Sequence, residues 1–353
     1  MLENSIVQKP SFKDRGMMRR KSINLQSDEL AKLSVLDTEK NFPVVVQPAI
    51  EGLNLISWAQ ENSALLEAKL SEHGALLFRN FSVNSTDDFQ SFIRSVSGQL
   101  LEYTYRSTPR TQVSGRVYTS TEYPADMSIP MHNENSYSRN WAMKLFFLCV
   151  TAAEEQGETP IADSRRMYEK IDAEIKTRFI EKKVMYVRNY GSDIDLPWQN
   201  VFQTSSKTEV EDFCRKSDIR FEWLGGDRLR TRQICQSVAQ HPLTGEMVWF
   251  NQANLFHFSS LPTEVQNALL SNFGEDNLPR NAYFGDGERI EPAVIKHINE
   301  VYEQESVAFP WQKGDVLMLD NMLIAHGRNP FKGARKIVVA MSQPFNDQIL
   351  TVD

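Results

Sequence analysis

His132 and Glu134 stand two residues apart in the segment Met131-His132-Asn133-Glu134. On an extended strand, side chains at i and i+2 share a face. The pair would therefore present an imidazole nitrogen and a carboxylate together. These are two of the three ligands of a two-histidine, one-carboxylate facial set, which holds iron(II) and leaves positions open. Taken alone the triplet is a weak signal, because surface strands carry such polar pairs by chance. A further histidine, His326, follows the apolar run Leu317-Met318-Leu319 and the turn-like Asp320-Asn321. A lone histidine beside a core strand is more often structural than a ligand. Two other segments carry groups suited to a carboxylate. In Gly157-Glu158-Thr159-Pro160 the hydroxyl of Thr159 is a donor, though the segment also reads as a plain turn. In Gly333-Ala334-Arg335 the guanidinium of Arg335 could fork onto a carboxylate, though it also reads as a surface arginine at a strand start.

The elements that must position these groups are legible in outline. The run 74–81 (GALLFRNF) reads as a buried strand bounded by turn residues. A helix is predicted over 85–98, capped by Ser85 with Asp87 and Asp88 in its first turn. Residues 103–131 read as strands joined by a long loop, and 144–151 as another apolar strand. Ser164 is expected to cap a helix in which Met167, Ile171, Ile175 and Phe179 recur every four residues. Residues 184–187 read as a short strand. Residues 234–238 and 247–251 flank His241-Pro242-Leu243-Thr244-Gly245 and predict a hairpin. Helices are expected over 262–272 and 292–303, and strands over 315–321 and 336–343. Residues 1–40 read as a partly ordered arm with a short helix. Residues 41–353 read as a single domain.

Composition excludes several classes. The 353 residues are 41% hydrophobic and 24% charged, enough apolar surface for a sizeable core. The formal net charge of -7 argues against a nucleic-acid partner, which needs a basic surface. Cys149, Cys214 and Cys235 are widely spaced, so no disulfide framework or zinc-finger spacing is present, and a reducing cytoplasm is expected. No apolar run approaches the roughly 20 residues that cross a bilayer. The N-terminal basic residues Lys13, Arg15, Arg19, Arg20 and Lys21 are not followed by an apolar run, so they do not read as a secretory signal.

In chain order, a His-x-Glu pair, a Gly-x-Thr turn and a distal His with an Arg shortly after it resemble the TauD/TfdA-like 2-oxoglutarate dioxygenases. The likeness is greatest to the clavaminate-synthase-like and SyrP-like branch. Matching text includes Gly74-Ala75-Leu76-Leu77-Phe78-Arg79, Ser107-Thr108-Pro109-Arg110-Thr111 and Tyr118-Thr119-Ser120-Thr121-Glu122-Tyr123-Pro124. It continues in Ile129-Pro130-Met131-His132-Asn133-Glu134, Thr159-Pro160-Ile161-Ala162-Asp163-Ser164 and His326-Gly327-Arg328-Asn329-Pro330-Phe331. The resemblance runs from about residue 45 to about residue 345. It implies a mostly β fold with flanking helices, built on a double-stranded β-helix, the cupin-type jelly roll. It implies Fe(II) on His132, Glu134 and His326, with O₂ and 2-oxoglutarate as co-substrates. The co-substrate would chelate iron through its 1-carboxylate and keto oxygen, and its distal carboxylate would meet Arg335 and Thr159. Arg328 and Lys336 lie close enough in sequence to compete with Arg335 for that role. Glu134 stands where most of the wider family has Asp, which fits this branch. Related halogenases carry a small residue there, so hydroxylation, or a related outcome such as desaturation, is favoured over chlorination.

The implied activity is oxidation of an unactivated carbon in an amino-acid-like small molecule, free or tethered to a carrier protein, in natural-product (antibiotic) biosynthesis. Two other classes remain open to the residues alone. One is a cupin-type metal-dependent isomerase or sensor, which would not need Thr159 and Arg335 in these places. The other is a non-catalytic jelly-roll interaction module. Among the remaining side chains, His241 and His257 read as structural or as supports of the metal site, and His73 and His297 as surface residues. Phe146, Phe147, Trp249 and Phe250 read as core. Ser136, Tyr137, Arg188, Trp198 and Asn254 are candidates to face substrate. Oligomeric state leaves no mark on the sequence.

Overall fold

A computed structural model describes residues 27–103, 105, 110–121, 123–191 and 195–347. The basic residues between 13 and 21 lie outside that set. The largest sheet has eight strands in the order Ala31–Asp37, Phe42–Pro48, Ala75–Phe78, Val316–Asp320, Asn140–Thr151, Lys336–Asn346, Val117–Thr119 and Gln112–Ser114. Its pairings are antiparallel except that between Phe42–Pro48 and Ala75–Phe78. The central strands are apolar on both faces, which is why they read as continuous hydrophobic runs. Leu77, Leu145, Phe147, Leu317, Leu319, Ile337 and Val339 enter one core cluster. Their neighbours Leu76, Phe78, Phe146, Leu148, Val316, Met318, Val338 and Ala340 enter another. This period of two is the pleat of an extended chain.

On the first face the sheet packs against a three-stranded sheet ordered Ile129–His132, Ile324–Arg328 and Ile161–Asp163, which contributes Ile161 and Ile324 to the shared core. Two facing sheets of this kind make the double-stranded β-helix. The opposite face is covered by the helices Leu55–Glu61, Ser63–His73 and Thr86–Ser97, through Trp58, Leu66, Leu70, Phe89 and Phe92. Ser85 caps the last of these through a reciprocal box with Asp88. A separate four-stranded sheet, ordered Arg220–Leu224, Arg228–Cys235, Val184–Tyr190 and Arg280–Phe284, packs with the helix Pro292–Glu305 into a third cluster. Phe146, Phe147, Trp249 and Phe250 are buried, as expected for core.

Several local expectations change. The segment read as an arm already contains the edge strand Ala31–Asp37, whose Leu33 and Val35 lean on the sheet's helical side. The helix predicted from Ser164 is two helices. Ile171 adopts an extended conformation, and Asp172 starts a second helix by accepting from the N–H groups of Glu174 and Ile175. Asp163, not Ser164, caps the first, because its carboxylate accepts from the Arg165 N–H. The hairpin around His241 pairs Val238–Gln240 with Met247–Trp249, four residues later on its first arm than the sequence suggested. His73 is buried rather than exposed, its Nδ1 bonded to the Asn41 carbonyl at 2.8 Å. His297 is half-buried and accepts from the Asp172 N–H.

Candidate metal centre and its two chambers

His132 ends the strand Ile129–His132, and its partner in the ladder of the neighbouring strand is His326. Cross-strand pairing therefore sets the two imidazoles side by side, with ring centroids 4.4 Å apart. The strands approach closely because residue 327 is glycine. A Cβ there would stand 2.8 Å from the Ile129 carbonyl oxygen. Glu134 reaches the same place by another route than strand alternation. It lies in the turn after the strand, and Asn321 fastens it there. The Asn321 Oδ1 accepts from the Glu134 N–H at 2.7 Å, and its Nδ2 donates to the carbonyls of Glu134 and Ala142 at 2.9 and 2.8 Å. Asn133 points the other way and donates to the Asn321 carbonyl and the Ser164 hydroxyl. The Asn133 carbonyl in turn accepts from Gln252, and the Met131 carbonyl from Asn254.

The outcome is a convergent set of three acceptor atoms. One ligand atom from each of His132, Glu134 and His326 lies within 4.8 Å of the others, and all three residues are buried. The Nε2 atoms of both histidines stand 4.0 Å from Glu134 Oε2. His132 Nδ1 lies 2.8 Å from the Pro130 carbonyl, so that nitrogen carries the proton and Nε2 keeps its lone pair toward the others. Burial pushes the pKa of both histidines down, His326 well below the ordinary imidazole value, so both rings are neutral ligands at neutral pH. Phe147 packs on the His326 ring at 5.1 Å. Two lone-pair nitrogens and a carboxylate oxygen aimed at one another repel unless a cation lies between them. Their types suit a divalent ion of iron's class with positions left open.

Two cavities meet at this cluster. The smaller is lined by His132, His326, Phe147, Thr159, Arg335 and Ile337, among others. Arg335 donates from Nε to the Gly157 carbonyl at 2.8 Å and points Nη2 at Thr159 Oγ1, 3.4 Å away. Burial pushes its pKa down to about 10, helped by the nearby positive charge of Arg328. Thr159 also accepts from Trp311 Nε1 at 3.2 Å. Of the two competing cations, Arg328 is committed to the backbone, donating to the carbonyls of Tyr123, Pro124 and Met127. Lys336 is exposed and lines neither cavity. The larger cavity, about 500 Å³, includes Met127, Leu255, Phe256, His257, Asp195 and Arg280 in its wall. Burial pushes His257 down to about 4, and its Nδ1 bonds the Ser259 hydroxyl.

Other expected candidates fall elsewhere. His241 bonds Asp320 at 3.1 Å and holds its own turn through the Thr244 N–H. Ser136 bonds the Asn133 carbonyl, and the Tyr137 hydroxyl donates to the Tyr105 carbonyl, so the turn after Glu134 rotates both away from the cavities. Arg188 lies between the rings of Tyr105 and Tyr190, and Trp198 donates to the Asp227 carbonyl. Asn254 supports the His132 strand rather than lining a cavity. Three residues without an expected role stand close to the centre: Asn133, Asn321 and Arg110. Arg110 Nη2 donates to Glu134 Oε2 at 2.8 Å. The only signal for Arg110 in the sequence is its place within a matching motif.

Residues 40–341 match the family described as taurine catabolism dioxygenase TauD, TfdA family. The chain belongs to that family, and with it to the Fe(II)- and 2-oxoglutarate-dependent dioxygenases. It is 45% identical over 275 residues to the dapdiamide synthesis protein DdaC of Enterobacter agglomerans, covering 78% of this chain and 84% of that one. It is 33% identical over 322 residues to a clavaminate synthase-like protein of Arabidopsis thaliana, covering 86% and 94%. Its fold is shared with the PvcB protein of Pseudomonas aeruginosa at a TM-score of 0.54 and 14% identity, over 90% of this chain and 93% of that one. No described helix is long and apolar enough to cross a membrane.

Proposed function

We propose that His132, Glu134 and His326 hold Fe(II), and that Thr159 and Arg335 receive the distal carboxylate of 2-oxoglutarate. We propose further that the enzyme hydroxylates an unactivated carbon of an amino acid or amino-acid-derived molecule, free or carried on a protein, in natural-product biosynthesis. The observation that carries this reading is the shared chamber. The two histidines of the convergent ligand set line it together with Thr159 and the half-buried cation Arg335, and Glu134 stands in the wall of the adjoining cavity. A metal-dependent isomerase or sensor would have no use for that second feature.

When bound, iron with 2-oxoglutarate and O₂ supplies an oxidant strong enough to take a hydrogen atom from carbon, leaving succinate and CO₂. The chain's own part is geometric. Cross-strand pairing and the Asn321 clamp fix the ligands before the metal arrives. Phe147, Ile337 and Val339 keep the small chamber apolar around its polar groups. The larger cavity has the volume of an ordinary small-molecule site. Its wall combines apolar side chains with the Asp195–Arg280 pair, bonded at 2.6 Å, which suits a compact ligand bearing both polar and aliphatic parts. Support for a biosynthetic substrate comes from DdaC, whose name places that protein in dapdiamide synthesis.

The same reading treats residues 41–353 as one domain, supported by two core clusters that share the main sheet. It places the protein in the cytoplasm, supported by three buried cysteines without a disulfide. The test is succinate release from 2-oxoglutarate under air, screened against free amino acids and carrier-bound aminoacyl thioesters. A substrate that stimulates release and gains one oxygen atom in mass supports the reading. Tight iron binding with no succinate from any candidate favours the isomerase or sensor.

A further inference from the structure

Arg110 is built into the centre in an unusual way. Its guanidinium and the Glu134 carboxylate are 5% and 4% exposed and share a 2.8 Å bond. The guanidinium carbon lies 4.5 Å above the Tyr103 ring. Its Nε and Nη1 are buried and have no acceptor among the described residues. Burying donors without partners is costly, so such groups usually mark a missing partner. Arg110 also lines both cavities, placing it at their junction. The oxygen it holds, Glu134 Oε2, is the one that stands 4.0 Å from both histidine Nε2 atoms. The guanidinium therefore bonds the same atom that a cation at the centre would take.

Resting on the proposed iron site, we propose that Arg110 is the receptor for a carboxylate bound directly beside the metal, specifically the metal-proximal carboxylate of the 2-oxo acid. While the centre lacks a cation, Arg110 neutralises Glu134 and keeps the three ligands from repelling. When a divalent ion takes Oε2, the carboxylate's charge is shared, and Glu134, Arg110 and the ion together carry a net charge of about +2 by simple count. A dianionic 2-oxo acid balances that charge. A carboxylate there can fork over the planar Nη1–Nη2 edge of the guanidinium, which gives Nη1, one of the two unmet donors, its acceptor. Arg335 and Arg110 would then divide the labour, one at the distal carboxylate and one at the metal-proximal carboxylate.

The test titrates Mn(II) into the metal-free protein, then oxalate or N-oxalylglycine into the Mn(II)-loaded protein, by calorimetry. Oxalate presents carboxylates to the metal but lacks the distal arm. Arg110→Gln is expected to bind Mn(II) at least as tightly as wild type, because a competing cation is gone. It should bind oxalate about ten-fold or more weakly, the scale of one charged hydrogen bond. Arg110→Lys, which keeps the charge but not the fork, should fall between the two, and it carries the test if the glutamine variant does not fold. Arg335→Gln should weaken N-oxalylglycine and spare oxalate. Oxalate binding unchanged in Arg110→Gln would overturn the assignment, and would be the result if Arg110 served a substrate carboxylate instead. Parallel loss of Mn(II) and oxalate would also overturn it, leaving Arg110 a structural support of Glu134. Wild-type protein that takes up no Mn(II) would instead sink the iron-site reading on which the inference rests.

Discussion

Replacing Asn321 by alanine tests how the carboxylate ligand is placed. The side chain is fully buried and makes three hydrogen bonds, two of them to the backbone of Glu134. The third goes to the Ala142 carbonyl, whose ladder partner is Pro344, a residue with no N–H to give. Truncation leaves the Glu134 N–H and two carbonyls without these partners. At about 1 kcal/mol for each bond lost, the fold should be weaker by about 3 kcal/mol. With a specific unfolding entropy near 2.1 cal/mol/K per residue, that is a fall in Tm of about 4 °C for a chain of this length. The more telling effect is on the metal. Loss of an outer support of a ligand costs roughly 10- to 100-fold in metal affinity, so Asn321→Ala should bind Mn(II) that much more weakly. Thermal melting and calorimetry on the same preparation give both numbers. A lower Tm with Mn(II) affinity within about two-fold of wild type would refute the reasoning, since Glu134 would then find its position without the clamp.

Two further outcomes follow from the same geometry. Gly327→Ala places a Cβ 2.8 Å from the Ile129 carbonyl oxygen and 3.0 Å from Met131 Sδ, forcing apart the two strands that carry His132 and His326. Metal affinity should fall by roughly 10-fold or more, because ligand distances tolerate only about 0.2 Å; unchanged Mn(II) binding would show that the strands yield elsewhere. His257 is pushed by burial down to about 4 from the ordinary 6.5, so the fold binds it neutral while the unfolded chain takes up a proton. Its contribution is therefore present above about pH 6.5 and is lost as pH falls toward 4. His257→Gln should flatten the loss of stability between pH 7 and 5 in urea titrations of the metal-free protein, leaving the part due to His132 and His326; an unaltered slope would contradict the assignment.

The centre was legible in sequence to the extent that order and residue type define it. His132, Glu134, Thr159, His326 and Arg335 are spread over two hundred residues, yet their sequence order is enough to suggest the family. The double-faced apolar strands also announce themselves, because burial on both sides leaves unbroken runs such as 145–149. What the sequence hides is contact between a side chain and a distant backbone. Asn321 lies 187 residues from the group it fastens, and no spacing rule links an asparagine to a main-chain N–H. Glu134 shows the same limit. The i, i+2 rule named the right pair for a reason that does not hold, since the strand ends at His132 and a clamped turn sets the carboxylate. Ser136 and Tyr137 were misjudged because that turn reverses their direction into the core. Ile171 illustrates a helix broken by a capping aspartate where periodicity alone runs on.

In the proposed centre, His132, Glu134 and His326 hold iron while Arg335 holds the far end of 2-oxoglutarate. The direct measurement is the visible charge-transfer absorption of the iron–2-oxoglutarate chelate, recorded without oxygen on purified protein. One iron per chain should give the band in wild type. His132→Ala should abolish it, and Arg335→Ala should restore it only at roughly 10- to 100-fold higher 2-oxoglutarate, the cost of one charge-assisted contact. No band in wild type at saturating iron and 2-oxoglutarate, or a band indifferent to His132, would contradict the claim.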